Sequence, residues 1–181
     1  MAFSIGQFAS RIQKGGARPN LFEVKLFNPI IGTADQLAPF FIRTSVLPES
    51  TIGTIEVPYF GRKLKIPGDR VFGTWTTTII NDEDFKIRDS LERWSSTIAS
   101  HVTNLRGRTD VRNLKSNAQV SQFSKTGERL REYEFTGIFP AVISQIDLDW
   151  EANDTIETYQ VEFAYDYWTL KGGSTRTSSL A

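Results

Sequence analysis

Two pairs of carboxylates have the spacing that acid–base chemistry needs. Asp147 and Asp149 stand two residues apart, as do Glu132 and Glu134, so in an extended strand the members of each pair share one face. One protonated and one ionised carboxyl group on a common face can act as general acid and general base. Their sequence neighbours give no sign of a pocket, so we favour a row of solvated acidic side chains for both pairs.

The sequence was also tested for metal and cofactor sites. The segment that starts at Asp147 resembles a calcium-binding loop, but Ala152 stands where that loop needs glycine and Thr158 where it needs glutamate. The chain has no cysteine and a single histidine, His101, which excludes thiolate and multi-histidine metal sites. It contains no phosphate-binding loop, dinucleotide glycine pattern, GxSxG or HExxH motif. The sequence therefore predicts a protein that is not an enzyme and uses no cofactor.

The charge is balanced overall and basic in one segment. The 21 basic residues cancel the 21 acidic residues, so no net field attracts nucleic acid or an anionic membrane. Residues 101–116 carry Arg106, Arg108 and Arg112, without the aromatic residues of a single-strand binder. This loop either meets an acidic strip on a neighbouring subunit or is simply solvated, and phosphate contact is the weakest interpretation. No apolar run reaches the roughly 20 residues that a membrane span needs, so we expect no membrane contact.

Alternating apolar and polar residues predict a series of short strands. The predicted strands are 21–26, 40–46, 52–59, 62–66, 72–80, 118–123, 130–138, 142–150 and 158–167. The pair 52–66 forms a hairpin with its turn near Phe60-Gly61. Pro58 and Pro67 each lack a backbone donor, so this hairpin is expected at an edge or projecting from the body.

One helix is predicted in the middle of the chain, because Ile87, Leu91, Trp94 and Ile98 share a helical face. Asn81 or Asp82 is its expected cap. The fold class is therefore mainly β, an antiparallel barrel or sandwich with one α-helix on the outside. Residues 1–16 form an N-terminal segment, either a short amphipathic helix that docks on a neighbour or a frayed terminus. The main domain spans 17–168, and 169–181 is a polar tail.

Several short segments occur in the order and spacing of one protein family. They are Ala17-Arg18-Pro19-Asn20-Leu21-Phe22, Pro67-Gly68-Asp69-Arg70, Trp75-Thr76-Thr77-Thr78, Asn81-Asp82-Glu83, Gly137-Ile138-Phe139-Pro140, Leu148-Asp149-Trp150 and Tyr165-Asp166-Tyr167-Trp168. Together they resemble the tail tube proteins of contractile-tailed bacteriophages over roughly residues 17–168. The loop after the helix and the Ser/Thr-rich tail depart from that pattern.

The resemblance implies hexameric rings that stack head to tail into a hollow tube inside a contractile sheath. Its implied partners are other copies of the chain, the sheath protein, the baseplate hub or tube initiator, the tape measure protein and the tail terminator. DNA passes through the lumen without sequence-specific binding. The implied location is the virion tail, assembled in the host cytoplasm. The alternative is the inner tube of a type VI or extracellular injection system with protein cargo, and a hydrolase or binding module would need a concave polar pocket.

Interface residues follow from the exposed or irregular elements. The candidates for ring and stacking contacts are Arg18, Asn20, Glu56, Arg62, Lys63, Asp69, Arg70, Arg106, Arg108 and Arg112. Glu132, Glu134, Asp147 and Asp149 are predicted to face the lumen, where lysine and arginine should be sparse because each neutralised phosphate strengthens DNA binding. The mid-chain helix should lie on the outer wall, where Lys86, Arg88, Glu92 and Arg93 either meet the sheath protein or simply keep that face soluble.

Overall fold

The computed structural model describes residues 4–12, 15–107 and 110–171, and nine strands, three α-helices and a 3-10 turn occur in these ranges. The helices are α1 (Ile5–Arg11), α2 (Thr33–Phe41) and α3 (Lys86–Ile98), and the 3-10 turn is Val111–Asn113. The strands are β1 (Phe22–Leu26), β2 (Ile42–Ser45), β3 (Thr51–Tyr59), β4 (Arg62–Val71), β5 (Trp75–Ile80), β6 (Ser116–Phe123), β7 (Arg129–Ile143), β8 (Thr158–Ala164) and β9 (Tyr167–Lys171). The mainly β, antiparallel architecture predicted from the sequence is confirmed.

Two sheets share the long strand β7. Sheet A contains β1, β6, the first half of β7 and β9, in that order. Sheet B contains the second half of β7, then β8, β5 and β2. The hairpin β3–β4 forms a separate two-stranded sheet. All of these strand pairs are antiparallel, as hairpin-connected strands favour.

A bend at Gly137 transfers β7 from one sheet to the other. The same edge of β7 pairs with β9 through residues 132–136 and with β8 through 139–143. Gly137 has a φ of 72°, a left-handed conformation that favours glycine. The predicted strand 158–167 is therefore two strands, because the chain bends at Tyr165–Asp166 opposite this glycine.

The strand predicted at 142–150 is wrong. One strand, β7, runs through Pro140 to Ile143, where separate strands 130–138 and 142–150 were predicted. A register shift between Pro140 and Val142 accommodates the missing donor. Residues 144–157 then form a loop.

Aromatic side chains fill the core between the sheets and the helices. Trp75 stacks on Phe135 with ring centroids 4.7 Å apart and contacts Phe163 at 5.3 Å. Trp75, Thr77 and Ile79 are buried on one face of β5, as the alternation predicted. Burial of such large apolar side chains is the main favourable contribution to folding.

Helix α3 covers the core as predicted. Leu91 and Trp94 are fully buried, and the Trp94 indole donates to the Leu114 carbonyl at 2.7 Å. The cap predicted at Asn81 or Asp82 is wrong, because α3 begins at Lys86 and its N-cap is Phe85, which has no side-chain cap bond. Asp82 still accepts a bond from the Lys86 backbone N–H at 3.1 Å.

The prediction of a single helix in the main domain is wrong, because α2 occupies part of the expected strand 40–46. Helix α1 agrees with the helical alternative for residues 1–16. Sequence patterns missed α2 because it contains Pro39, which normally opposes a helix interior. Burial of Ala38 and packing against β1 and α3 favour the helix. None of the described helices combines the length and apolarity of a membrane span.

Candidate subunit interfaces and the polar sheet face

The hairpin β3–β4 exposes an unusual amount of apolar surface. At its turn Phe60 and Gly61 have φ values of 42° and 77°, as a two-residue turn between twisted strands requires. Tyr59 is 72% and Phe60 91% exposed. The other exposed apolar residues are Ile52, Ile55, Val57, Leu64, Ile66 and Val71. An isolated two-stranded hairpin is marginally stable in water, and a continuous apolar patch indicates a docking surface.

Five of the predicted interface residues lie on this hairpin, and all are exposed. They are Glu56, Arg62, Lys63, Asp69 and Arg70. Lys63 donates to the Glu56 carboxylate at 2.6 Å, and Arg70 donates to the Ser50 hydroxyl. The hairpin also carries Lys65, so its four basic residues outnumber its two acidic ones. Its surface is thus both apolar and basic.

The other predicted interface residues lie on two separate segments. Arg18 and Asn20 are exposed just before β1, where the Arg18 carbonyl accepts a bond from Gln122 at 3.3 Å. Arg106 and Arg112 are exposed in the loop between α3 and β6. Arg108 falls outside the described residues. The interface role of all these residues stays a prediction.

Residues 144–157, here called the acidic loop, carry Asp147 and Asp149. The loop has five acidic residues and no lysine or arginine. Asp149 accepts a bond from the Glu151 N–H at 3.0 Å, and Asp147 accepts one from the Gln145 amide at 3.2 Å. Trp150 is 99% exposed. The prediction that the two aspartates share a strand face is wrong, since they lie in a loop beyond the end of β7 and outside sheet A.

Glu132 and Glu134 lie on the outward side of sheet A, here called the polar sheet face, opposite the buried Phe135. Two cross-strand rows define this face. One row is Glu23, Ser121, Glu132 and Lys171, and the other is Lys25, Gln119, Glu134 and Thr169. The shared face of the two glutamates is therefore confirmed. The face also carries Lys25 and Lys171.

Glu132 is not a solvated side chain, and that prediction is wrong for it. Its side chain is 4% exposed and lies between two cations. Lys171 Nζ is 3.1 Å from its Oε1, and Arg129 Nη1 pairs with its Oε2. On the same face Lys25 lies 3.7 Å from Glu23. The Glu132 cluster was not predicted from the sequence, because Lys171 was assigned to the polar tail. In the structure β9 extends as far as Lys171.

Helix α3 presents a charged face to solvent beside its buried one. Lys86, Glu92 and Arg93 are exposed. Arg88 is fixed by three contacts. It donates to Glu92 at 2.8 Å and to the Ser144 carbonyl at 3.2 Å, and its guanidinium lies 5.1 Å from the centre of the Tyr159 ring. Burial raises the pKa of Tyr159 well above its ordinary value, although nearby Arg88 lowers it in part. Tyr159 is buried and belongs to the core.

A second buried polar cluster joins the loop after β1 to α3. The Asn28 side chain donates to the Ser90 carbonyl and hydroxyl at 3.1 and 2.8 Å, and the Asn28 backbone N–H donates to Asp35 at 2.5 Å. Burial raises the pKa of Asp35, and the bond from Asn28 opposes that change. All partners are internal, so the cluster fixes the loop rather than a ligand.

The described residues offer little for catalysis. A cavity of about 1060 Å³ between the N-terminal segment and the β6–β7 turn is lined by residues such as Arg18, Lys125 and Glu128, and by none of the four predicted carboxylates. Among residues 4–12, 15–107 and 110–171, no three His, Cys, Asp or Glu side chains group so as to hold a metal ion. The main features of the described surface are therefore an exposed apolar hairpin, a charged loop and a polar sheet face.

Sequence comparison gives the family. Residues 17–171 match the family described as phage tail tube protein. The chain is 33% identical over 168 residues to the tail tube protein gp19 of Enterobacteria phage T4, covering 92% of this chain and 94% of the relative. The gp19 protein of Enterobacteria phage T6 gives the same identity and coverage. The chain therefore belongs to the phage tail tube protein family, as its sequence segments predicted.

Solved structures show the same fold at low sequence identity. A chain from the anti-feeding prophage baseplate has a TM-score of 0.64 at 16% identity, with 86% of this chain and 95% of that chain covered. A chain from the sheath–tube complex of an extracellular contractile injection system has a TM-score of 0.58 at 16% identity, with 93% and 98% covered. The family is one of structural tail tube proteins.

Proposed function

We propose that the chain forms hexameric rings that stack head to tail into the tail tube, through whose lumen DNA and the tape measure protein pass. The observation that carries this proposal is the pair of strands that end sheet A. β1 pairs only with β6, and β9 only with β7, among the described strands. Strands at the edge of a sheet pair with neighbouring chains in many assemblies.

Pairing of β1 on one subunit with β9 on the next would continue sheet A around the ring. The polar sheet face would then line the lumen, because the opposite side of sheet A packs on the core. Glu132 and Glu134 stay lumen candidates under this arrangement. Asp147 and Asp149 do not share their face and belong to the acidic loop.

Ring stacking needs two different surfaces that fit each other, since a head-to-tail contact is heterologous. The hairpin β3–β4 offers apolar side chains among basic ones, and the acidic loop offers Leu148, Trp150 and Ile156 among five acidic residues. We assign the acidic loop of one ring to the hairpin of the next. Arg18, Asn20, Arg106 and Arg112 are the further contact candidates.

Further partners are proposed from the assemblies in which similar chains occur. The similar solved chains come from a baseplate, a sheath–tube complex and a tube-terminating cap. For this chain we propose contacts with the sheath, through the exposed face of α3, and with the tube initiator and terminator. Assembly in the host cytoplasm and incorporation into the virion tail complete the proposal.

The alternative, the inner tube of a type VI or extracellular injection system, shares this fold. Fold similarity below 25% identity does not separate the two, whereas 33% identity over 92% of the chain relates it to phage tubes. We therefore favour DNA as the cargo.

Negative-stain electron microscopy of the purified chain, with light scattering after size exclusion, tests the assembly. The expected result is six-membered rings or hollow tubes whose fraction rises with concentration. A chain that stays monomeric at every concentration, and also after a baseplate template is added, would contradict the proposal.

A further inference from the structure

Among the described residues Glu132 is the one charged residue that is buried. It lies on a polar face whose other residues, apart from the buried Ser121, are partly or fully exposed. A carboxylate in such a position is stable only when it is paired, because burial of an unpaired charge is costly. Its two oxygens are divided between Arg129 and Lys171. The arrangement is a single anion shared by two cations from β7 and β9.

The two cations themselves stay within reach of solvent. The Arg129 side chain is 51% and the Lys171 side chain 61% exposed. Core packing does not require their charges, since neither side chain is buried. The geometry instead brings each charged group to Glu132, where it is hydrogen-bonded.

We propose that Glu132 masks Arg129 and Lys171, so that the polar sheet face does not bind the phosphates of DNA. The inference rests on the proposed function, in which this face lines the path of DNA. A bound carboxylate competes with phosphate for the same donors and repels it. In a ring the cluster repeats in every subunit around one duplex, so unmasked cations would act together and slow the passage of DNA.

The test compares E132Q with the wild type and with E134Q. Both variants remove one negative charge from the same face, but Glu134 takes part in no ion pair found among the described residues. The probe is a fluorescent duplex of about 20 base pairs, whose binding is measured by size exclusion at 50 and 200 mM NaCl. Electron microscopy first establishes whether each sample is assembled. Variants are then compared with wild type in the same state, assembled or single-chain, since DNA can reach the polar sheet face in the single chain as well.

E132Q is expected to retain at least about tenfold more duplex than the wild type at 50 mM NaCl. Two freed cations per subunit should make that retention fall about tenfold by 200 mM, following the salt dependence of phosphate contacts. The triple variant R129Q/E132Q/K171Q should return to wild-type retention. If E132Q does not fold, E132D supplies the comparison, with a smaller gain because its shorter side chain reaches the two cations less well.

Equal retention of the duplex by E132Q and the wild type would overturn the masking role. If E134Q gained as much retention as E132Q, net charge alone would explain duplex binding, and the masking role would again be overturned. Retention that persists in the triple variant would also overturn it. None of these results concerns assembly. Failure of the wild type to form rings would count against the proposed function instead.

Discussion

At the residue scale, Gly137 shows how one position connects the two sheets. A Cβ atom there would clash with the Asp166 carboxylate. That carboxylate pairs with Lys115 at 2.6 Å, and the Asp166 N–H bonds the Thr136 carbonyl at 3.0 Å. Glycine is therefore needed both for its backbone conformation and for its lack of a side chain. The sequence showed only a glycine within a strand. Such a glycine is compatible with a bulge, a bend or the close approach of another segment, so the sequence alone did not predict the change of sheet.

Gly137→Ala should lower the free energy of unfolding by about 3 kcal/mol, from backbone strain and displacement of the Asp166–Lys115 pair. Gly127→Ala is the matched control, because Gly127 has a φ of 81° but open space around its Cβ position. It should lose only about 1 kcal/mol. Urea denaturation of the unassembled chain measures both, and equal losses would show that the contact with Asp166 has no role.

Glu132 marks the limit of residue-level prediction. Period-two alternation correctly placed Glu132 and Glu134 opposite Phe135. It could not give the burial of Glu132, because that depends on Lys171 in a strand that pairs 39 residues away in sequence. Asp147 and Asp149 have the same spacing and no ladder at all, so spacing alone does not establish a strand.

At the element scale, the sequence predicted the elements that follow from local patterns and missed an element that depends on tertiary contacts. The hairpin turn at Phe60-Gly61 and the stripe of α3 each follow from local sequence, and both are present. Helix α2 depends on tertiary packing of Ala38 and on the Asn28–Asp35 bond, which overcome the effect of Pro39. No periodicity in the sequence reports such contacts.

The hairpin and the acidic loop give a prediction about stacking. Reversing hairpin charges with Arg62→Glu and Lys65→Glu, or loop charges with Asp149→Lys and Glu151→Lys, should leave rings intact but unstacked. Each change opposes like charges across the proposed ring-to-ring contact. Negative-stain images then show single rings in place of tubes.

Mixing the two sets of changes in one chain should restore tubes, because the reversed charges again attract each other. Arg93→Glu on α3 is the control for net charge and should leave stacking unchanged. Continued absence of tubes in the combined variant would mean that the loop and hairpin do not meet.

At the scale of the whole molecule, two sheets that share β7 leave β1 and β9 as the edges of sheet A. The sequence predicted the strand content and the family, since both are carried by local patterns. It did not predict which strands are edges, because strand order depends on pairings such as β1 with β6, nearly a hundred residues apart. The proposed ring depends on that order.

Cysteine cross-linking tests the ring most directly, and the chain has no native cysteine to interfere. One residue of β1, Glu23 or Lys25, and one of β9, Tyr167 or Thr169, are changed to cysteine in all four combinations. Within one chain β6 and β7 separate the two strands by about 14 Å, from three strand spacings, which is too far for a disulfide. The combination of Lys25→Cys with Arg93→Cys on α3 is the control.

Oxidation of the assembled chain should give, for at least one β1–β9 combination, a ladder of covalent oligomers that ends at six subunits. The control should give no such ladder. If none of the four combinations cross-links beyond chance dimers while rings are visible by electron microscopy, the neighbouring subunits do not join through β1 and β9, and the account of a continuous sheet around the lumen is contradicted.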